Sequence, residues 1–540
     1  MSAPRTTPAE VARLRRALSA ALRDPERERA IWLVALKGNP ADLHAALLAS
    51  IRAALGDGAE RVIAALPVPG APAVPVTAGP RRWNVRRLGL ATALAVSVSA
   101  LLVLAPRWLR PAPTADAWYF VLVDRYADGT PDPPGTTDRT DPQGWHGGDL
   151  QGVLDHVDDL AALGVGAVWL SPVTDARDAP HGPWGAYHGY WVDDLGAVDP
   201  RFGTVDGLRA VRDALADRGI GTYLDVVYNH VGPDTRLLSA HPDWFHHQGD
   251  IVDWDDPDQI VTHDVHGLPD LAQEDEAVYA YLRDASVGWI DRIAPAGFRV
   301  DAVRHLPEGF LARLGADLRA HAGPGFELVG EVYDGNVDRV AARAHRDHLD
   351  AVFDFPLYFA IRDAYCDGGS VGKLAALVGA DYGGARPITL VDNHDLPRIR
   401  SACHDDLGAV AQALAFQLTA RGTPSITWGT EVGLAGAEEP ANRADMVFPD
   451  ALPPIGVTVT ELLALRSAWP ALRSPETRVV GLSAGLVTFA RLGADEVVTV
   501  TVARAGDVPE APPRWTAVDG TPEVSWGGPT PEVRVVDGPG

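Results

Sequence analysis

Cysteine is almost absent: Cys366 and Cys403 are the only two in 540 residues. That excludes a disulfide framework, and no zinc-type spacing exists. The pair reads as two isolated buried thiols; one bond between them would need an oxidising compartment. No internal repeat stands out, so the chain does not read as a repeat array. Basic residues are scarce after the leader. Of 47 Lys+Arg and 72 Asp+Glu, 16 and 7 fall in residues 1–110, leaving 31 and 65 for the other 430. A body this acidic argues against nucleic acid as a partner, because phosphate binding relies on Lys and Arg. A neutral ligand such as a sugar fits better.

The leader has its own organisation. Residues 1–66 show helical periodicity, with Val11, Leu14, Leu18 and Leu22 on one face and Asn39-Pro40 as a break. Residues 67–87 form a linker rich in Pro, Ala and Gly that turns basic at Arg81, Arg82, Arg86 and Arg87. Residues 88–105 run eighteen positions without a charge, the lower limit for crossing a hydrocarbon core of about 30 Å. We expect a single membrane span there. The heavier positive cluster precedes it, so the N-terminus is expected in the cytoplasm and the body outside, periplasmic or extracellular. Ala115-Asp116-Ala117 has the small-x-small form of a cleavage site, but more than eighty residues precede it, too many for a signal peptide. An uncleaved anchor is the expectation.

The body alternates short apolar runs with helix-like stretches. Strands are expected at 118–123, 165–170, 221–226, 297–300, 326–329, 351–353, 387–391 and 424–428. Eight strands alternating with helices favour an α/β fold, a closed (β/α)8 barrel, over an open sheet. The barrel is expected over 112–230 and 282–472, with residues 231–281, rich in Asp, His and Trp, as an inserted domain B after strand 3. From 473 to 540 alternating strands suggest a small antiparallel β-domain.

Four segments end these runs: Asp225-Val-Val-Tyr-Asn229-His230, Gly297-Phe-Arg299-Val-Asp301-Ala-Val-Arg304-His305, Gly330-Glu331 and Val391-Asp-Asn-His394-Asp395. The carboxyl ends of the strands are where a barrel collects catalytic groups. Converging carboxylates suit glycoside cleavage, one ionised as nucleophile and one protonated to serve the leaving oxygen. Arg299, two residues before Asp301 on the same strand face, can hold that carboxylate ionised.

These segments resemble the signature regions of the alpha-amylase family of retaining glycoside hydrolases, from about Ala117 to the C-terminus. His146-Gly-Gly-Asp149, Tyr187-His188-Gly-Tyr190-Trp191, Leu268-Pro-Asp270-Leu, Gly422 to Glu431 and Asn442-Arg443-Ala-Asp-Met446 agree. The resemblance implies Asp301 as nucleophile, Glu331 as general acid/base and Asp395 as transition-state stabiliser. It puts His188, Tyr190, His230, Arg299 and His394 around the sugar at subsite −1, with Tyr190 stacked on it. Arg304-His305 stands where starch-type members often have Lys-His, which bears on subsite +2. It also implies a calcium ion held by Asn229, Asp270 and the carbonyl of His305; oxygen ligands suit Ca²⁺. The acidic loop of Asp128, Asp132 and Asp138 resembles a family calcium loop only loosely and reads as a solvated turn.

The implied activity is hydrolysis of α-1,4-linked glucans or malto-oligosaccharides. A transglycosylase would share the first half of the mechanism, water or a sugar hydroxyl deciding the second. A non-catalytic membrane partner, like the amino-acid-transporter heavy chains, would generally lack a complete triad, and this chain has one.

Overall fold

The structure, a computed structural model, describes residues 116–131, 135–482, 485–493, 497–503 and 523–525. The expected helical leader, linker and membrane span lie outside the described residues. Among the described residues no helix is long and apolar enough to cross a membrane.

Eight parallel strands close into a barrel. In chain order they are β1 (Trp118–Val121), β2 (Ala167–Leu170), β5 (Gly221–Val226), β6 (Gly297–Val300), β7 (Glu327–Gly330), β8 (Ala351–Phe353), β9 (Arg386–Thr389) and β10 (Thr423–Thr427), and β10 pairs with β1 to complete the ring. Between β2 and β5 the chain makes a two-stranded hairpin, β3 (Thr174–Ala176) with β4 (Val192–Val198), which is not among the strands expected from the sequence. Its polar, bulged pairing carries no regular alternation to read.

Helices α1 (Val157–Leu163), α2 (Val205–Asp217), α3 (Glu276–Ile293), α4 (Phe310–Ala322), α5 (Val337–Arg346), α6 (Phe355–Tyr365), α7 (Leu407–Thr419) and α8 (Pro454–Ala468) follow the strands in turn. Several start on a side-chain cap that satisfies an orphan backbone N–H: Thr204 for α2, Asp275 for α3, Asn336 for α5 and Asp406 for α7. Each strand begins and ends within three residues of its expected limits, the usual fraying of element ends.

The strands are buried on both faces, which is why they read as apolar runs without alternation. Large rings fill the barrel: Phe120 stacks on Trp169 at 3.8 Å, and Trp118 meets Tyr223 at 4.2 Å. Parallel register then sets neighbours at the rim. Asp225 pairs with Arg299, and Val300 with Gly330, so Asp301 emerges beside Glu331.

The stretch 231–275 holds short helices at Arg236–Ala240 and Pro257–Thr262 between the end of β5 and α3. At the other end of the chain, β11 (Thr477–Leu482), β12 (Leu486–Leu492) and β13 (Val497–Ala503) pair antiparallel, the expected small antiparallel β-domain, and the short β14 (Glu523–Ser525) joins β13 in parallel. Buried Arg491 of β12 ties this sheet to the barrel, its Nη1 donating to Thr419 O at the C-terminal end of α7 at 2.7 Å, and buried Arg466 of α8 converges on the same helix end, its Nη1 donating to Leu418 O and Ala420 O, both at 3.2 Å. A cation at a helix C-terminus answers both the orphan acceptors and the dipole.

Cys366 and Cys403 form a disulfide, which corrects the reading of two separate thiols. The residues are 37 apart in sequence, and only the packing of α6 beside the segment after β9 brings them together. The bond staples the chain that carries Asp395 to the outer helix layer.

Candidate active site

Arg299 is the centre of the rim. It is fully buried and aims its guanidinium at three carboxylates. Nη1 donates to Asp301 Oδ1 at 2.7 Å and to Asp225 Oδ1 at 2.8 Å, and Nη2 pairs with Glu331 Oε2 at 2.9 Å. Asp225 is further held by Tyr190 Oη at 2.7 Å and Trp169 Nε1 at 3.0 Å. The sequence reading gave Asp225 no role. Its position two residues before Val227 at the end of a buried strand was the available signal, since an acid there must find a partner.

Two backbone features shape this rim. Ala302 adopts a left-handed conformation (φ 49°, ψ 38°), rare for a residue with a side chain, directly after Asp301. The turn aims the Ala302 N–H at Glu331 Oε2, 3.1 Å away. Gly189, at φ 83°, lies so close to the chain before it that an added Cβ would sit 2.0 Å from Pro172 O. Only glycine passes there. That passage brings His188 and Tyr190 into the same cluster: Tyr190 N donates to His188 Nδ1 at 3.1 Å, and the Tyr190 ring lies parallel to His394 at 5.0 Å.

Asp395 sits on the opposite side, partly open to the cleft. His394 Nε2 lies 3.2 Å from its Oδ2, Arg443 Nη2 donates to Oδ1 at 3.0 Å, and its own N–H donates to Asn393 Oδ1 at 2.9 Å. Arg443 also donates from Nε to His394 O at 3.0 Å, so one guanidinium sets both residues. The sequence reading quoted the Asn442-Arg443 motif without a role, because 48 residues separate Arg443 from Asp395.

These surroundings separate the acids. Burial, reinforced by the negative charge of Asp301 and Asp395 and opposed by Arg299, pushes Glu331 up to about 8. Burial also works against the charge of Asp395, but His394, Arg443 and Arg299 outweigh it and hold that carboxyl below its usual range. Burial lowers His188, His230 and His394, the last to about 3, so all three are neutral hydrogen-bonding groups near neutral pH.

Arg304 and His305 turn away from the Arg299 cluster and grip the stretch after β5. Arg304 Nη2 donates to Trp254 O at 2.9 Å, and His305 Nδ1 lies 3.0 Å from Ile260 O. Asn229 and Asp270 come together where Leu271 N donates to Asn229 O at 2.9 Å. Both side chains are buried. Neither amide atom of Asn229 has a protein partner, nor does Asp270 Oδ1, while Asp270 Oδ2 meets His246 Nδ1 at 2.6 Å. Buried oxygens without donors are costly, and burial pushes Asp270 up to about 7. A hard cation would answer both, so these residues fit calcium. No cluster of three His, Cys, Asp or Glu with metal-binding potential occurs among the described residues. In the first loop, Asp138 accepts from Thr140 and Asp128 pairs with Arg139, as in an acidic turn.

Residues 120–451 match the family model described as alpha amylase, catalytic domain. The "Beta/alpha-amylase" of Paenibacillus polymyxa is 32% identical over 397 residues, which cover 69% of this chain and 32% of that protein. "Alpha-amylase 2" of Schwanniomyces occidentalis is 29% identical over 378 residues, 65% of this chain and 72% of that one. Among solved structures, the alpha-amylase of Geobacillus thermoleovorans complexed with acarbose superposes with a TM-score of 0.65 at 31% identity, covering 71% of this chain and 85% of the other. With the closed barrel, the carboxylates at its C-terminal rim and a family match spanning most of the barrel, the chain belongs to the alpha-amylase family.

Proposed function

We propose that the protein is a retaining hydrolase of α-1,4-linked glucans and malto-oligosaccharides. The observation that carries this reading is the Arg299 guanidinium shared by Asp301 and Glu331. One planar group bridging both acids suits the short separation, about 5 Å, of a nucleophile and an acid in retaining enzymes.

In this mechanism the Asp301 carboxylate, held by Arg299, attacks the anomeric carbon. Glu331, protonated below about 8, gives its proton to the departing glycosidic oxygen, leaving a glycosyl ester on Asp301. Glu331, now a carboxylate, takes a proton from water as the water attacks the same carbon and frees Asp301. Asp395 stabilises the positive charge that develops on the sugar. The neutral histidines His188, His230 and His394 bond hydroxyls, Tyr190 packs against the pyranose, and Arg304 and His305 serve the acceptor side.

The test is incubation of the full chain with maltoheptaose. Shorter products released first as α-anomers establish a retaining hydrolase; β-anomers, or no turnover of any α-glucan by folded protein, overturn the reading. Products longer than the substrate mark the transglycosylase instead, a reading favoured by 27% identity over 437 residues, 60% of its length, to a cyclomaltodextrin glucanotransferase of Bacillus sp. (strain 38-2).

Calcium held by Asn229, Asp270 and the His305 carbonyl would neutralise the buried Asp270 and fix the stretch after β5 against the barrel. Chelation by EGTA is expected to lower the melting temperature, calcium at about a hundred times its Kd contributing about 2.7 kcal/mol. Asn229→Ala is expected to abolish that response in thermal melts, and an unchanged response would remove this site. For placement, residues 88–105 serve as an uncleaved anchor with residues 1–87 in the cytoplasm and the catalytic body outside. The Cys366–Cys403 bond supports an oxidising compartment for the body.

A further inference from the structure

Away from the triad, a cleft of about 380 Å³ opens between the chain after β1 and the segment that follows Arg443. Its walls include Tyr126, Asp128, Arg139, His156, Asp445 and Phe448. Phe448 is 37% exposed although it is a large ring. It lies flat on His156, with centroids 3.6 Å apart and planes 14° off parallel, and meets the edge of Tyr126 at 5.3 Å. Such an open ring face, fixed from behind, is a stacking platform.

The charged groups of the lining are already partnered. Asp128 accepts from Arg139 at 3.1 Å, Asp445 meets His146 at 2.6 Å, and His156 meets Asp159 at 2.7 Å. Both arginines of the lining, Arg139 with Asp128 and Arg125 with Asp124, are already answered by a carboxylate, which disfavours a phosphate or another anion, and the lining carboxylates are already engaged by an arginine or an imidazole, which disfavours a metal. What remains is a ring face bordered by hydrogen-bonding groups with no unpaired arginine. That combination suits a neutral polyhydroxylated chain.

The cleft is joined to the catalytic rim by one short segment. Arg443 bonds Asp395, Arg125 Nε donates to Arg443 O at 3.0 Å, and Met446 N donates to Arg125 O at 2.7 Å, which pins the strand between them. Phe448 follows Arg443 by five positions, at most about 17 Å of extended chain.

We propose that this cleft is an accessory glucan-binding site, which takes a stretch of the same α-glucan polymer that the triad cleaves. The inference rests on the hydrolase reading of the triad. Holding one stretch of a polymer raises its effective concentration at a nearby site, and a substrate too short to span both gains nothing.

The experiment uses the full chain and compares wild type with Phe448→Ala and with Arg139→Gln, a surface substitution that spares the packing. KM for soluble starch is expected to rise roughly three- to ten-fold in Phe448→Ala, in line with the worth of an aromatic contact, and less in Arg139→Gln. KM for maltotriose and both kcat values are expected to stay within about two-fold. An unchanged starch KM in both variants, or an equal rise for starch and maltotriose, overturns the proposal. Starch affinity electrophoresis reads the cleft without turnover. If wild type cleaves neither substrate yet is retarded by starch, and Phe448→Ala is not, the hydrolase reading fails while the cleft stands; equal retardation of both proteins removes the cleft.

Discussion

Asp301→Asn is expected to lower kcat on maltoheptaose by on the order of 10⁵-fold, the scale seen when a nucleophile is removed from an enzyme that works through a covalent intermediate. The amide is close in shape to the carboxylate and can still accept from Arg299, so the fold and the substrate KM should change little. Single-turnover measurement with mass spectrometry makes the comparison decisive. Wild type quenched early should carry one glycosyl unit on the peptide containing Asp301, and the variant none. Retention of more than about a hundredth of wild-type kcat by the variant would point to a different nucleophile.

Glu331→Gln is the second large effect, expected at about 10²- to 10⁴-fold, the usual contribution of general acid–base catalysis. Its signature is in the pH profile. Glu331 must carry its proton to act, and burial has pushed it up to about 8, so kcat/KM of the wild type should fall as pH rises through about 8. In the glutamine variant nothing titrates at that position, and the alkaline limb should flatten. A substrate with an activated phenolic leaving group, which needs no proton, should lose much less in its first step than maltoheptaose does. An alkaline limb that survives the substitution would show that another group sets it.

The same shift links to stability with a definite sign. The folded-state pKa of Glu331 lies above its ordinary value of 4.5. The neutral acid is therefore favoured by the fold, and that contribution is full below about 4.5 and lost as pH rises through about 8. Thermal melts should show Glu331→Gln gaining on wild type between those limits, a readout independent of turnover.

How much of this was legible depends on how far apart the cooperating residues lie. Asp301 follows Arg299 by two positions in one strand, so their shared face could be read from the strand period alone. Glu331 and Asp395 announced themselves as acids ending apolar runs, because a parallel barrel sends every strand end to the same rim. Asp225 was visible but mute: its partner Arg299 lies 74 residues away, and only the pairing of β5 with β6 sets them side by side. Arg443 reaches Asp395 from a loop after β10. The Cys366–Cys403 bond was misread, and the β3–β4 hairpin and the parallel pairing of β14 went unread, for related reasons, since each depends on which segments pack together and none leaves a periodic trace.

By itself, then, the sequence determined the architecture of the barrel and the identity of its rim acids, because binary patterning and strand-end chemistry are local properties repeated along the chain. Tertiary structure decided how those acids differ. Burying Glu331 while setting Asp395 against Arg443 and His394 drives their proton affinities apart, and only the closed barrel brings those distant charges within a few ångströms of one another. The cleft beside Phe448 is of the same kind, a surface assembled from the chain after β1 and the loop after β10, which become neighbours only when the barrel closes.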